Sequence, residues 1–408
     1  MKEATHKRQF LIILLIVFVG FLGISMPYLI FPALFMNPAY SILPETCGYT
    51  NKALLLGITL GAYPLGQFIG SPILGALSDD YGRKRLLAAS LFLNALCNLV
   101  TGLALCWQQV ELLIVSRFAS GLMEGNIAIA RAMANDLKSL NKHASFGRIN
   151  AAASIAYVIG PFIGGLLADS NLYEGLTIST PFYVVFFIFV GLSAMSLLTL
   201  QDRPLQTINQ NVLSIWQRFN LIKRLKTLFK NKRLKFLLII TTSFTIAVDI
   251  FYEFGPVYLT TKWLLDPVDL IIYNAVLCIG LAVGNGWLSA FVSTYTSKRQ
   301  AIIGSVSAFT LLLIGTCFAE SHFVMLLLFT AIGLAIGIAV TLLTVKISDS
   351  VSDEIQGEVM GVQVALRVLG DAVICILGGL LLLLSSKLVL AFAAVIAALS
   401  LLYYKRAS

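Results

Sequence analysis

Charge is scarce in this sequence. Asp, Glu, Lys and Arg make up 12% of its 408 residues, against about 25% in soluble domains, which excludes an ordinary water-soluble globule. Histidine is nearly missing: His6, His143 and His322 all fall in tails or loops, where solvated side chains are expected. The cysteines (Cys47, Cys97, Cys106, Cys278, Cys317 and Cys375) are scattered without metal or redox spacing. They read as small buried apolar side chains, although Cys47 and Cys106 fall on stretches that can both face the outside, which leaves a disulfide between them open. No G-x-x-x-x-G-K, no H-E-x-x-H and no G-x-S-x-G is present. Those absences, with no Ser/His set or paired aspartates at matched depth, argue against an enzyme, a resident metal and a cofactor.

Apolar length is what the chain has in abundance. Hydrophobic residues make 58% of it, and they run together, as in "FLIILLIVFVGFLGI" at 10–24. A helix needs roughly 20 mostly apolar residues to cross about 30 Å of hydrocarbon. Twelve segments qualify, near 10–36, 53–77, 86–106, 111–137, 145–168, 182–200, 236–261, 269–292, 300–318, 323–346, 357–384 and 387–404. Little polypeptide remains outside them, so no separate soluble catalytic domain is expected. The first run is longer than that of a cleavable signal and no small-residue cleavage site follows it, so a retained span is expected.

The net charge of +9 raises the question of a nucleic-acid partner, and the placement of the charges argues against one. Lys and Arg gather on the cytoplasmic loops of membrane proteins. Here they gather in the N-terminus (Lys2, Lys7, Arg8), the 2–3 turn (Arg83, Lys84, Arg85) and the 4–5 loop (Lys138, Lys142, Arg148). They recur in the 6–7 loop (from Arg203 to Lys235), the 8–9 turn (Lys298, Arg299) and the C-terminus (Lys405, Arg406), while the opposite set holds Lys52, Lys262 and Lys387. Both termini are therefore expected in the cytoplasm. The segment 201–235 separates two halves, 1–200 and 236–408, each with six spans. Within it Val212, Ile215, Trp216, Phe219, Ile222, Leu225 and Phe229 recur at helical spacing, with basic residues on the other face. That pattern suits an amphipathic helix on anionic inner-leaflet lipid. An all-α membrane fold follows, with two repeated six-helix bundles around a central path. One chain supplies both halves, so a monomer is expected.

The stretch 63–87, "YPLGQFIGSPILGALSDDYGRKRLL", sets Asp79, Asp80, Arg83, Lys84 and Arg85 between spans 2 and 3. Gly75 would permit close helix contact and Gly82 a tight turn. Asp79 could accept hydrogen bonds from a helix N-terminus, where negative charge is favoured. Arg83 could pair with the acids of "SDSVSDEIQGEVMG" at 348–361, namely Asp349, Asp353, Glu354 and Glu358. The plainer alternative is that the basic residues only fix topology.

Residues Gly75, Leu77, Asp79, Gly82, Arg83 and Lys84 resemble the loop signature of the major facilitator superfamily, G-x-L-x-D-x-x-G-R-K/R, with Asp80 where that family usually has a basic residue. The lead-in is similar to the twelve-span drug:proton antiporter branch that includes tetracycline exporters. Gly160, Pro161, Gly164 and Gly165 of span 5 resemble that branch's G-P-x-x-G-G motif, with Ala156 in place of a preceding glycine; close packing alone would also account for them. "QGEVMGVQ" at 356–363 resembles the start of span 11 in the same branch, and Arg117 and Gly121 fit the family's R-x-x-x-G element. The resemblance covers essentially the whole chain. It implies the major facilitator fold, a part for Arg117 in proton coupling, and a cytoplasmic gate formed by Gly75, Asp79, Gly82, Arg83 and Lys84 with Asp353 and Glu354.

Ionic residues also lie inside the spans. Arg117, Glu124 and Arg131 are seven apart in span 4, and seven residues return to nearly the same helix face. Each charge costs roughly 2.5–3.5 kcal/mol at the centre of a membrane helix, so the stripe should face a cavity or partner charges; a structural ion-pair ladder is the bland alternative. In span 7, Asp249 and Glu253 are four apart and share a face. Two carboxylates close together in low dielectric resist ionising together, the property a proton carrier uses. Arg367 and Asp371 in span 11 have the same spacing and could simply neutralise each other. The candidates for proton coupling are Glu124, Asp249, Glu253, Asp371 and Arg117. Arg131, Arg367, Asn126 and Tyr252 are those for substrate.

The expected function is a proton-coupled exporter of a small molecule, a drug-like compound or a metabolite, working by alternating access. Substrate would bind near the midplane between the bundles, with the proton gradient as driving force, in a cell membrane such as a bacterial inner membrane. The alternative is a carrier of an anionic metabolite, such as an organic acid or a polycarboxylate siderophore, moved outward or inward, because deep cations recognise carboxylate. A sensor or assembly factor would not need charges inside its spans.

Overall fold

The computed structural model describes residues 2–44, 46–137, 142–170, 172–201, 221–351 and 353–407. No β-strand occurs among them, as lipid requires: without water to bond, a spanning backbone satisfies itself inside helices. Span 1 is Lys2–Ser25, a 3-10 turn at Met26–Leu29 and Ile30–Met36; span 2 is Tyr49–Tyr81, span 3 Arg83–Cys106, and span 4 Val110–Met123 with Gly125–Asp136. Span 5 is Lys142–Leu167, span 6 Thr180–Thr199 and span 7 Lys232–Trp263. Span 8 joins Asp269–Val283, a π turn at Gly284–Leu288 and Ser289–Tyr295; Lys298–Phe318, His322–Ser348, Asp353–Leu382 and Ser386–Ala407 are spans 9 to 12. Among the described residues eleven helices are long and apolar enough to cross a membrane, and the apolar part of span 5, Ala151–Leu167, is shorter.

The boundaries have local causes. Pro27, without a backbone N–H, stands at the start of the turn that interrupts span 1. The 2–3 connection is one residue, Gly82 at φ 94, a conformation that suits glycine; Asp79 and Asp80 therefore end one helix and Arg83 opens the next. The Asn231 side chain caps span 7 by accepting from the backbone of Arg233 (3.1 Å) and Leu234 (3.2 Å). Ser297 and Gln300 form a capping box at the start of span 9.

The chain divides into two compact units, Met1–Leu34 with Tyr40–Glu45 and Thr59–Asn220, and Phe35–Ala39 with Thr46–Ile58 and Leu221–Ser408. In the first, span 1 packs on spans 4 and 5, and span 3 on spans 4 and 6. In the second, span 7 packs on spans 10 and 11, and span 9 on spans 10 and 12. The internal pairing thus repeats. The core of the first unit centres on Ile13, Ile16, Val17, Leu91, Ile129 and Phe189. Hydrogen bonds add to it between spans 3 and 4, from Ser120 Oγ to Asn94 Oδ1 (3.1 Å) and between Thr101 Oγ1 and Ser116 Oγ (2.9 Å).

Most of the basic linker, 202–220 with Val212, Ile215, Trp216 and Phe219, lies outside the described residues. Leu221–Leu228 is helical. Its Leu225 and Leu228, with Phe229, pack with Leu234, Leu237, Ile347 and Val359. Leu228 is buried there, and Leu225 and Phe229 are partly buried.

Candidate functional site

In the first unit the site begins with a break in span 4. Glu124 N donates to Gly121 O (3.0 Å) and Ile127 N to Glu124 O (3.1 Å), the three-residue spacing of a tightened turn. Glu124 is 2% exposed. Its Oε2 accepts a hydrogen bond from the Tyr63 hydroxyl of span 2 at 2.5 Å. The Arg117 guanidinium carbon lies 4.5 Å from the centre of the Tyr63 ring and 5.4 Å from that of Phe31. That of Arg131 lies 5.7 Å from Phe21, whose ring is 5.4 Å from Tyr157. Both arginines thus rest on aromatic faces, where a desolvated cation gains from the ring quadrupole. Glu124 Oε1, Arg131 Nε and both ends of the fully buried Asn126 amide have no hydrogen-bond partner among the described residues. This is unused capacity for water, a proton or a polar ligand.

Span 2 reaches Glu124 because its backbone lies directly on span 4. A side-chain carbon on Gly121 would strike the Tyr63 carbonyl, and one on Gly66 the Phe118 carbonyl. Only hydrogen at these positions allows the approach.

In the second unit the charges sit on spans 7 and 11. Arg367 Nε and NH2 donate to Asp249 Oδ2 and Oδ1 at 2.8 and 2.6 Å, a two-bond fork. The Asp249 side chain is 6% exposed and that of Arg367 49%. One turn along span 11, Asp371 Oδ1 accepts from the Cys375 thiol at 3.7 Å. One oxygen each from Glu253 and Asp371 and the Cys375 sulfur lie within 4.8 Å of one another. Such a set can exchange protons, and its mixed oxygen and sulfur donors are those able to hold a cation.

The remaining expectations divide. Span 4 carries Arg117, Glu124 and Arg131 into one cluster around Tyr63, though with a helix break at its centre. Between spans, Arg367 forks onto Asp249; within span 11, Asp371 meets Cys375, and Glu253 of span 7 lies beside that pair. Tyr252 is half-buried beside Phe251. Gly160 and Gly164 face span 1, where side chains would strike Ser25 and Met26, while Pro161 and Gly165 are buried in span 5.

Of the proposed gate, the side chains of Asp79, Asp353 and Glu354 lie outside the described residues; Arg83 and Lys84 open span 3. Among the described residues, nothing lies within 4 Å of where a Gly75 side chain would stand. Asp349 pairs with Lys298 at 3.0 Å. Cys47 and Cys106 are both free thiols, and Cys106 Sγ lies 3.2 Å from the Tyr183 hydroxyl, so the disulfide left open above is not formed. His322 is more than a solvated loop residue, with Nδ1 2.6 Å from the Tyr273 hydroxyl and its ring 4.1 Å from Trp263.

Sequence reasoning missed Tyr63 and Cys375. The available signal for Tyr63 was the pair Gly66 and Gly70 further along the same helix, matched by Gly121 and Gly125 in span 4.

Comparison with known proteins agrees with this architecture. The family model described as Major Facilitator Superfamily matches residues 13–374. The tetracycline resistance protein, class H, of Pasteurella multocida is 31% identical over 168 residues, 41% of this chain and 39% of that protein. Multidrug resistance protein 2 of Bacillus subtilis (strain 168) is 28% identical over 230 residues, 55% of this chain and 52% of that protein. The chain thus spans about half the length, or less, of the curated relatives it matches. The crystal structure of the nucleoside transporter NupG superimposes with a TM-score of 0.69 at 14% identity, covering 98% of this chain and 98% of that one; that likeness concerns the fold alone.

Proposed function

The chain belongs to the major facilitator superfamily of multi-pass membrane transporters, and from that premise we propose that it exports a small molecule, drug-like or metabolic, in exchange for protons by alternating access. The observation that carries this reading is Glu124, a carboxyl 2% exposed inside a span, with one oxygen on Tyr63 and the other without a partner among the described residues. A membrane helix bears the roughly 2.5–3.5 kcal/mol cost of a central charge where the charge has a use. The resistance proteins among the relatives support export of drug-like compounds. In this reading Glu124, Asp249, Glu253 and Asp371 load and release protons beside Arg117, while Arg131, Arg367, Asn126 and Tyr252 meet the substrate. The Lys/Arg asymmetry supports cytoplasmic termini in a bacterial cell membrane.

The test is the full chain in proteoliposomes under an imposed pH step, followed with tetracycline and a lipophilic cationic dye. The step should drive export, and Glu124→Gln or Asp249→Asn should abolish the drive while leaving downhill movement. Transport indifferent to the step, or full coupling in both variants, refutes it.

A second reading, an anionic carboxylate substrate, is favoured by the Nε of Arg131, without a partner among the described residues, and the half-exposed Arg367. Thermal stabilisation of the purified protein by citrate but not by the dye, lost in Arg131→Ala, would select it; stabilisation by the dye alone would remove it.

A further inference from the structure

The glycines place the two units in register. In the first, side-chain carbons on Gly66, Gly70 and Gly121 would strike the carbonyls of Phe118, Leu122 and Tyr63. In the second, Gly280, Gly284 and Gly333 stand in the same way against those of Thr330, Leu334 and Leu277. Each of these contacts between spans 2 and 4 thus has a counterpart in spans 8 and 10. Tyr63 therefore answers to Leu277. Counting along the helices from the match of Gly121 with Gly333, Arg117, Glu124 and Arg131 answer to Phe329, Ile336 and Leu343. All four counterparts are buried and apolar. The same backbone crossing closes in the second unit without a phenol or a charge, so packing does not require either. Where one member of the Tyr63–Glu124 pair is replaced, so is the other.

We propose that Tyr63 is a positioning residue for Glu124. Its O–H donates to Oε2 and holds the carboxyl in one orientation, so that Oε1, which has no partner among the described residues, is the atom that takes and gives up the proton. The ring has a separate task, carrying the Arg117 guanidinium. The charged and titratable groups around Glu124 are Tyr63 from span 2 and Arg117 and Arg131 along span 4. Beyond them Tyr157 of span 5 borders Tyr63 and Arg131, and Cys97 of span 3 borders Arg117. Phenylalanine at position 63 deletes the hydroxyl alone. This inference rests on the reading of Glu124 as a proton carrier.

The experiment is an infrared difference titration of the purified full chain, which needs no substrate. A carboxyl C=O band that titrates with pH in the wild type and vanishes in Glu124→Gln is the Glu124 signal. In Tyr63→Phe that band should move to higher wavenumber, because the group has lost a hydrogen bond. Its apparent proton affinity should change by roughly tenfold or more, the scale of a bond to a charged group. A band and midpoint unchanged in Tyr63→Phe overturn the inference while leaving Glu124 as proton carrier. If no titrating band is lost in Glu124→Gln, the proton-carrier reading fails and takes the positioning role with it. The double variant Tyr63→Leu/Glu124→Ile copies the second unit and should elute and melt as a folded protein; a variant that does not fold refutes the claim that packing is indifferent to the pair.

Discussion

Replacing Arg367 with Met would remove two charge-assisted hydrogen bonds, 2.8 and 2.6 Å long, from a carboxylate that is 6% exposed. Breaking a fully buried pair from one side costs about 3–5 kcal/mol, because the surviving charge stays buried. Arg367 itself is 49% exposed, so water screens the pair from one side and the loss falls to about 2–3 kcal/mol. Asp249→Asn should cost less, about 1–2 kcal/mol, since the amide keeps one acceptor for the guanidinium. The double variant Arg367→Met/Asp249→Leu removes both members of the fork together and should lose less than the sum of the two single losses. Melting of the detergent-purified proteins, followed by tryptophan fluorescence, reads the losses: small in Asp249→Asn, larger in Arg367→Met, and short of additive in the double variant. A double variant that loses the sum of the two single losses would refute the reasoning, because the two side chains would then act independently.

Three further outcomes are expected. Gly121→Leu should lose about 1–3 kcal/mol or fail to fold, because its side chain meets the Tyr63 carbonyl, whereas Gly75→Ala, with no described atom within 4 Å of the new methyl, should melt at or slightly above the wild type; matched melting curves separate them. Ser120→Ala removes the bond to Asn94 and should cost about 0.6 kcal/mol, the mean for hydrogen bonds between membrane helices, read by the same melting. Cys47 and Cys106 are free, so both should react with maleimide without prior reduction; labelling that requires a reductant would contradict the structure.

The spans were legible because a 20-residue apolar run has few other uses. Their interruptions were not. Glu124 sits in a break that heptad spacing treats as continuous helix, and the π turn at Gly284–Leu288 lies in a stretch whose composition matches its flanks. The intramembrane charges were legible one by one, and their partners were not. Spacing of four puts Arg367 beside Asp371, yet Asp249 on another span holds the guanidinium fork; sequence distance ranks neighbours on one helix and is silent about the helix packed against it. Tyr63 was hidden for a related reason. One phenol in an apolar run looks like core until its hydroxyl is found on a buried carboxylate. The side chains of the gate acids Asp353 and Glu354 lie outside the described residues, so the loop signature still stands on sequence alone.

The two units meet the same packing demand and then depart from each other in charge. The cluster around Tyr63 brings the Glu124 carboxylate near two guanidinium groups, Arg117 and Arg131, each resting on an aromatic ring. The cluster on spans 7 and 11 brings the carboxylates of Asp249, Glu253 and Asp371 near the Arg367 guanidinium, which forks onto Asp249. With all groups ionised, the first cluster carries an excess positive charge and the second an excess of negative charge. Protonation pushes them in opposite senses relative to neutrality: a proton on Glu124 adds to the imbalance of its cluster, and a proton on Asp371 or Glu253 reduces that of the other. On the proposed reading, a cationic cargo would compete with protons at spans 7 and 11, and an anionic cargo would find its counter-charge at span 4. Asp371→Asn should weaken stabilisation by a cationic dye and leave that by citrate intact, and Arg131→Ala should do the reverse; a ligand weakened equally by both substitutions would show that the clusters do not divide the work by charge.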